Sequence, residues 1–265
     1  MAIPAPLLLL LVVALSVAFA CGGQIYVHRR FPQEDFARHN EVGGIIIAIA
    51  GTVYAVVLGF LTVAAWEHFT EARQLVALEA AAAADAWHMA VGLPPARRSR
   101  VRQNVLAYAT LMVQREWPMM RNGEYDSLGD LLIMNAISAS GAFNPSNLGE
   151  SNAQTMTLQQ LGILHDERQR RLAVSASEIG PFEWLILLIG ALLVTCFCWL
   201  FGTPSRRVHL LMTSCVAVMV ASMLVLLFEL QYPFRTSLRI GPGDWQAVIQ
   251  HIGVMQTGAQ MDMRM

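Results

Sequence analysis

In a chain of 265 residues, 55% hydrophobic side chains and a mean hydropathy of +0.47 exclude an ordinary soluble domain. Charged residues are 14% of the total, against roughly 25% in soluble domains, so an integral membrane protein is expected. A net charge of -1 and a pI near 6.6 exclude a nucleic-acid partner, and the 18 basic residues, all arginine, reflect composition rather than chemistry.

The first apolar run, residues 6–27, is long enough to cross a bilayer. No basic residue precedes it and it exceeds a signal-peptide core, so a retained transmembrane helix is expected, although Phe19-Ala20-Cys21 resembles a lipoprotein cleavage site. A polar connector with Pro32 then leads to residues 45–66, whose only ionisable group is Tyr54. No proline or turn cluster separates that stretch from the polar sequence after Trp66, which predicts one helix over 43–87, half in lipid and half in water. In its membrane half, Ile49, Thr52, Val56, Phe60 and Val63 recur at three- and four-residue spacing and share one face. Gly43, Gly44, Gly51 and Gly59 permit close helix approach. A competing reading has the Ile49–Phe60 stripe packing against the other spans of the same chain.

Gly92-Leu93-Pro94-Pro95 ends this helix, and a second polar one is predicted over 96–117, with Val101, Val105, Tyr108 and Met112 on its buried face. Arg97, Arg98, Arg100 and Arg102 crowd its N-terminus against the helix dipole, which calls for acidic partners such as Glu79 or Asp85, or for an anionic ligand. Pro118 is expected to stop it. A short helix follows over 127–138, a loop over 140–152, and a helix over 153–177 with Met156, Gln160, Leu164 and Leu172 on one face. Two more spans, 182–201 and 208–230, are joined by a turn short enough to make them an antiparallel hairpin. A polar tail closes the chain, its last dozen residues loosely ordered.

The fold class is therefore all-α. Spans occupy 1–66 and 182–231, a helical aqueous domain 67–181, and a tail on the same side of the membrane 232–265. Arginine placement does not orient the chain: Arg29, Arg30, Arg38, Arg206 and Arg207 flank the short connectors, and Arg73, Arg168, Arg170, Arg171, Arg235 and Arg239 lie opposite. The four cysteines sit in or beside apolar runs without metal-ligand spacing, so neither a metal site nor a cofactor is expected. The seven histidines are scattered and no phosphate loop is present, which argues against an enzyme. Glu183 and Glu229 lie at span ends, unlike the mid-membrane ionisable group of a transporter.

Several short stretches carry a resemblance. Residues 54–60 (YAVVLGF) lead into Trp66 and Glu71-Ala72-Arg73; Leu93-Pro94, Glu116-Trp117-Pro118, Pro181 with Trp184, and Glu229 with Pro233-Phe234 follow. In these the chain resembles the bestrophin-like domain family, bacterial membrane proteins of unknown function, and more distantly the bestrophin ion channels. Where bacterial bestrophins often place an arginine and paired asparagines after Leu-Gly-Phe, this chain has Leu61, Thr62 and Val63, and it lacks the acidic cluster of a calcium clasp. The resemblance implies a homopentameric, chloride-conducting channel in a bacterial inner membrane. Its partners would be lipid, further copies of itself and small inorganic ions. Thr52, Val56 and Phe60 would form a pore neck, Ile49 and Val63 would extend the pore face, and Arg97, Arg98, Arg100 and Arg102 would meet anions in a cytosolic vestibule. The alternative is a non-conducting membrane scaffold or sensor whose helical domain binds a partner.

Overall fold

The computed structural model describes residues 4–31 and 36–262, with side chains to Thr257. Every regular element among the described residues is helical. The chain divides into two compact units, one of Met1–Phe69, Glu178–Tyr232 and Thr236–Leu238, the other of Thr70–Ser177, Pro233–Arg235 and Arg239–Met265.

The first unit contains α1 (Ala5–Arg30), the N-terminal part of α2 (Asn40–Met89), α7 (Pro181–Cys198) and α8 (Arg206–Gln231). All four are long and apolar enough to span a membrane. At most 28% of any one span's most apolar window is buried in the chain, so most of that surface must meet lipid or other copies. The α2 helix runs unbroken for 50 residues, as the absence of proline and turn residues predicts. Its start is tied down by Asn40, whose amide donates to the Gly202 carbonyl at 2.7 Å and accepts from the Gly202 N–H at 3.1 Å. Trp199 donates from Nε1 to the Ala20 carbonyl at 2.8 Å, fixing α7 to α1. Pro181 occupies the first turn of α7, where its missing N–H costs no helical bond.

The second unit is built from the rest of α2, α3 (Pro95–Leu111), α4 (Trp117–Met120), α5 (Leu128–Gly141), α6 (Leu148–Ala176) and α9 (Gly243–Asp262). Pro118 does not stop the helix as expected. A wide π-turn over Met112–Glu116 precedes it, and the helix runs on to Met120. The shifted hydrogen-bond ladder of a π-turn accommodates a residue that lacks an N–H and crowds the carbonyl before it. Gly123 then turns the chain with φ of 78°, a left-handed conformation that suits glycine.

The loop expected over 140–152 is shorter, because α6 begins at Leu148. The Asn147 side chain accepts from the Glu150 N–H at 2.9 Å, while the Glu150 carboxylate accepts from the Ser146 N–H and hydroxyl, both at 2.8 Å. Those two bonds hold the Glu150 carboxyl below its ordinary range. Its contribution is therefore present above the unfolded carboxyl's pKa and is lost as pH falls through the folded one. Asn147→Ala is expected to cost about 1 kcal/mol, read as a small fall in the thermal unfolding midpoint. An unchanged midpoint would show that the cap adds nothing.

The tail, expected to be loosely ordered over its last dozen residues, is helical to Asp262. Trp245, Val248 and Ile252 bury one face of α9, with Trp245 edge-on to Tyr108 at 5.3 Å between ring centroids. Trp117 donates to the Ile240 carbonyl at 3.1 Å and meets Phe234 edge-on, so residues after α8 are part of the helical core of this unit.

Candidate pore face and buried ion network

A helix turns about 100° per residue, so the membrane half of α2 presents two opposed faces. One carries Tyr54, Leu58, Leu61 and Ala65 and packs with Leu187 of α7 and Leu227 and Leu230 of α8. The other carries Ile49, Thr52, Val56, Phe60 and Val63, and it is exposed along its whole length. Phe60 is 73% exposed and Ile49 65%, values that no helix of the same chain reduces. The competing reading, in which this stripe packs within the chain, therefore fails. Thr52 spends its hydroxyl proton on the Ala48 carbonyl at 2.7 Å, leaving lone pairs and a methyl group facing outward. Of the glycines singled out, Gly43 faces Phe197 and Phe201, whereas Gly44, Gly51 and Gly59 border open space.

The second unit centres on a buried ion network. Arg168 and Arg171, three residues apart on α6, point to the same side and are fully buried, as are Glu79 of α2 and Glu116 of the π-turn. The Arg171 guanidinium donates to Glu79 at 2.5 and 3.1 Å and to Glu116 at 2.6 Å, with the sulfurs of Met112 and Met120 completing its shell. Arg168 donates to the same Glu116 oxygen at 2.7 Å, to Asp130 at 2.9 Å and to the Asp126 carbonyl at 2.8 Å. Tyr108 donates to Glu79. Burial lowers the pKa of both guanidinium groups, but the oxygen partners around them outweigh it and hold each above its ordinary value: Tyr108 and Glu116 at Arg168, Glu79 foremost at Arg171. Burial, then Glu79, raises Tyr108. Gly129 lies against the Arg168 guanidinium, where a β-carbon would collide with it.

Residues 14–244 match the family model described as "Bestrophin-like domain". The chain belongs to the bestrophin-like domain family. This is the family that its short motifs pointed to, and in this bestrophin-like protein those motifs hold helix ends and junctions together. Glu116 joins both buried arginines; Leu93 turns the chain by donating to the Ala90 carbonyl; Trp184 donates to Gln231 at 3.0 Å; and Glu229 accepts from the Leu238 N–H and the Ser237 hydroxyl just beyond α8.

Two solved structures share the fold. One, titled a bacterial bestrophin homologue from Klebsiella pneumoniae with a point mutation, is 14% identical with a TM-score of 0.67, covering 92% of this chain and 98% of the other. The second, titled only as a membrane protein variant, is 14% identical with a TM-score of 0.64, covering 90% and 96%. No curated protein matches.

The four arginines of the bestrophin-like protein's α3 find backbone partners more than acids. Arg97 donates to the Ala142 carbonyl at 2.7 Å, Arg98 to that of Val91 at 3.2 Å, and Arg102 to that of Trp87 at 3.1 Å while stacking 3.9 Å from the Trp87 ring centroid. Arg100 is exposed. Glu79, expected as a surface partner for this cluster, is instead committed to Arg171. Burial and the nearby Arg98 charge lower the pKa of Arg102. No group of three or more potential metal ligands comes together among the described residues.

Proposed function

We propose that copies of this chain assemble, as a pentamer, into an ion channel whose pore is lined by α2, with Thr52, Val56 and Phe60 as its neck. Ile49 and Val63 extend the lining. The observation that carries the reading is the uncharged face of α2 left uncovered by its own chain, opposite the face that packs on α7 and α8. Five helices about 9–10 Å apart set their axes roughly 8 Å from a common centre. Subtracting a helix radius of about 5 Å leaves a lumen roughly 3 Å in radius, narrowed further by Phe and Val side chains. A collar of that width gates by dewetting. Gly59, beside this face and bordering open space, favours close approach of neighbouring copies.

Chloride is the favoured ion, because α2 carries no carboxylate ring in its membrane half and the cluster Arg97, Arg98, Arg100 and Arg102 supplies positive charge. The residues of 67–181 and 232–265 then lie in the cytosol of a bacterium, with the spans in its inner membrane. A cysteine placed at Asn147 should resist membrane-impermeant maleimide in intact cells and react after lysis; labelling of intact cells would reverse the orientation. Purified protein in liposomes should pass chloride. A well-folded oligomer that passes no ion would favour the membrane scaffold instead.

A further inference from the structure

At one end of the first unit, α1, the α7–α8 turn and the first turns of α8 enclose a cavity of about 260 Å³ whose lining includes Gln24, Ile25, His28, Arg29, Arg206 and Leu210. The geometry points to a binding site for the headgroup of an anionic, hydroxyl-bearing glycerophospholipid such as phosphatidylglycerol. Four observations converge on it. The cavity holds two arginines, Arg29 and Arg206, both exposed, so a phosphodiester can be bound there without stripping either of water beforehand. The α8 helix starts at Arg206 with no side chain capping it, which leaves first-turn N–H groups and the positive dipole end free for an anion.

The third observation is Gln24, only 3% exposed, with its carbonyl oxygen unpartnered among the described residues; the buried His28 Nε2 beside it is likewise unpartnered. A buried carbonyl oxygen without a donor is costly. A phosphodiester carries no donor, but a headgroup hydroxyl does, which is why the site fits phosphoglycerol better than a phosphodiester whose headgroup lacks a hydroxyl, such as phosphocholine. The fourth is position. The cavity sits where the apolar run of α1 gives way to Arg29 and Arg30 and that of α8 begins, the depth at which phosphates lie in a bilayer. Ile25 and Leu210 supply apolar wall, and Tyr26 and Leu211 next to them are exposed to receive acyl chain. The volume falls below the roughly 300–1,000 Å³ of sites that enclose a drug-sized ligand, so a headgroup enters and the chains stay outside.

The test uses full-length protein, purified and stripped of lipid in detergent, followed by thermal shift and by native mass spectrometry of bound lipid. Phosphatidylglycerol should raise the unfolding midpoint by several degrees and remain bound in the mass spectrum, whereas phosphatidylcholine and inorganic phosphate should do neither. Arg29→Gln with Arg206→Gln, both at exposed positions, should weaken phosphatidylglycerol binding at least ten-fold while eluting as wild type. Gln24→Leu should weaken it separately, by removing the acceptor while keeping the arginines. Equal binding of phosphatidylglycerol by wild type and both variants would overturn the site. An equal shift from phosphatidylcholine would reduce it to a general lipid contact, and an equal shift from inorganic phosphate to a free-anion site; either overturns the headgroup assignment.

Discussion

Replacing Arg171 with Met is expected to destabilise the helical unit by about 3–5 kcal/mol, because a charge removed from a buried pair strands its partner in a low-dielectric interior. Glu79 would keep only the Tyr108 hydroxyl, and Glu116 would keep Arg168. At roughly 2–4 °C per kcal/mol for a chain of this size, the thermal midpoint should fall by about 6–20 °C. Changing Glu79, Glu116, Arg168 and Arg171 together to apolar residues should cost less than Arg171→Met alone, since no fully buried charge is left unpaired and Asp130, which loses Arg168, is 34% exposed. A single replacement that leaves the midpoint within a degree of wild type would show that the network carries no net stability. The same cluster sets an alkaline limit. Tyr108 holds its proton above a free tyrosine's pKa, so the stability tied to it is full below that value and is lost as pH rises toward the folded one.

The second large effect concerns conduction. Phe60→Ala should raise ion flux through liposomes at least ten-fold, and Val56→Ala should raise it less. Phe60 is the bulkiest residue of the α2 stripe and the most exposed of its apolar side chains, and one copy from every subunit would face the axis. Lowering a dewetting barrier by as little as about 1.4 kcal/mol is tenfold in rate. Neither residue packs inside its own chain, so both variants should fold and assemble as the parent does. Unchanged flux in both would place the pore elsewhere.

The four spans and the 50-residue α2 were legible in the sequence, because long uncharged runs and the lack of helix breakers are local signals. So was the Ile49–Val63 stripe as a face; that it stays uncovered required knowing where α7 and α8 pack. The start of α6 was missed although Asn147 and Glu150 carry a capping spacing, since the Gly- and Ser-rich flanks read as loop. Of the face through Met156, Gln160, Leu164 and Leu172, Leu164 alone is fully buried. Thr157, Leu161, Leu164, Arg168 and Arg171 are buried while Met156 is 50% exposed, and arginines standing in an apolar stripe were the overlooked clue. Their partners could not be read locally: Glu79 and Arg171 are 92 positions apart. The helicity of α9 was obscured by glycines and glutamines around its apolar face of Trp245, Val248 and Ile252.

The assembly is tested most directly by electron cryo-microscopy of the purified protein. The account predicts a closed ring of identical copies with α2 innermost and the Phe60 side chains converging on the axis. A single subunit, or a ring whose centre is lined by α1, α7 or α8, would contradict it.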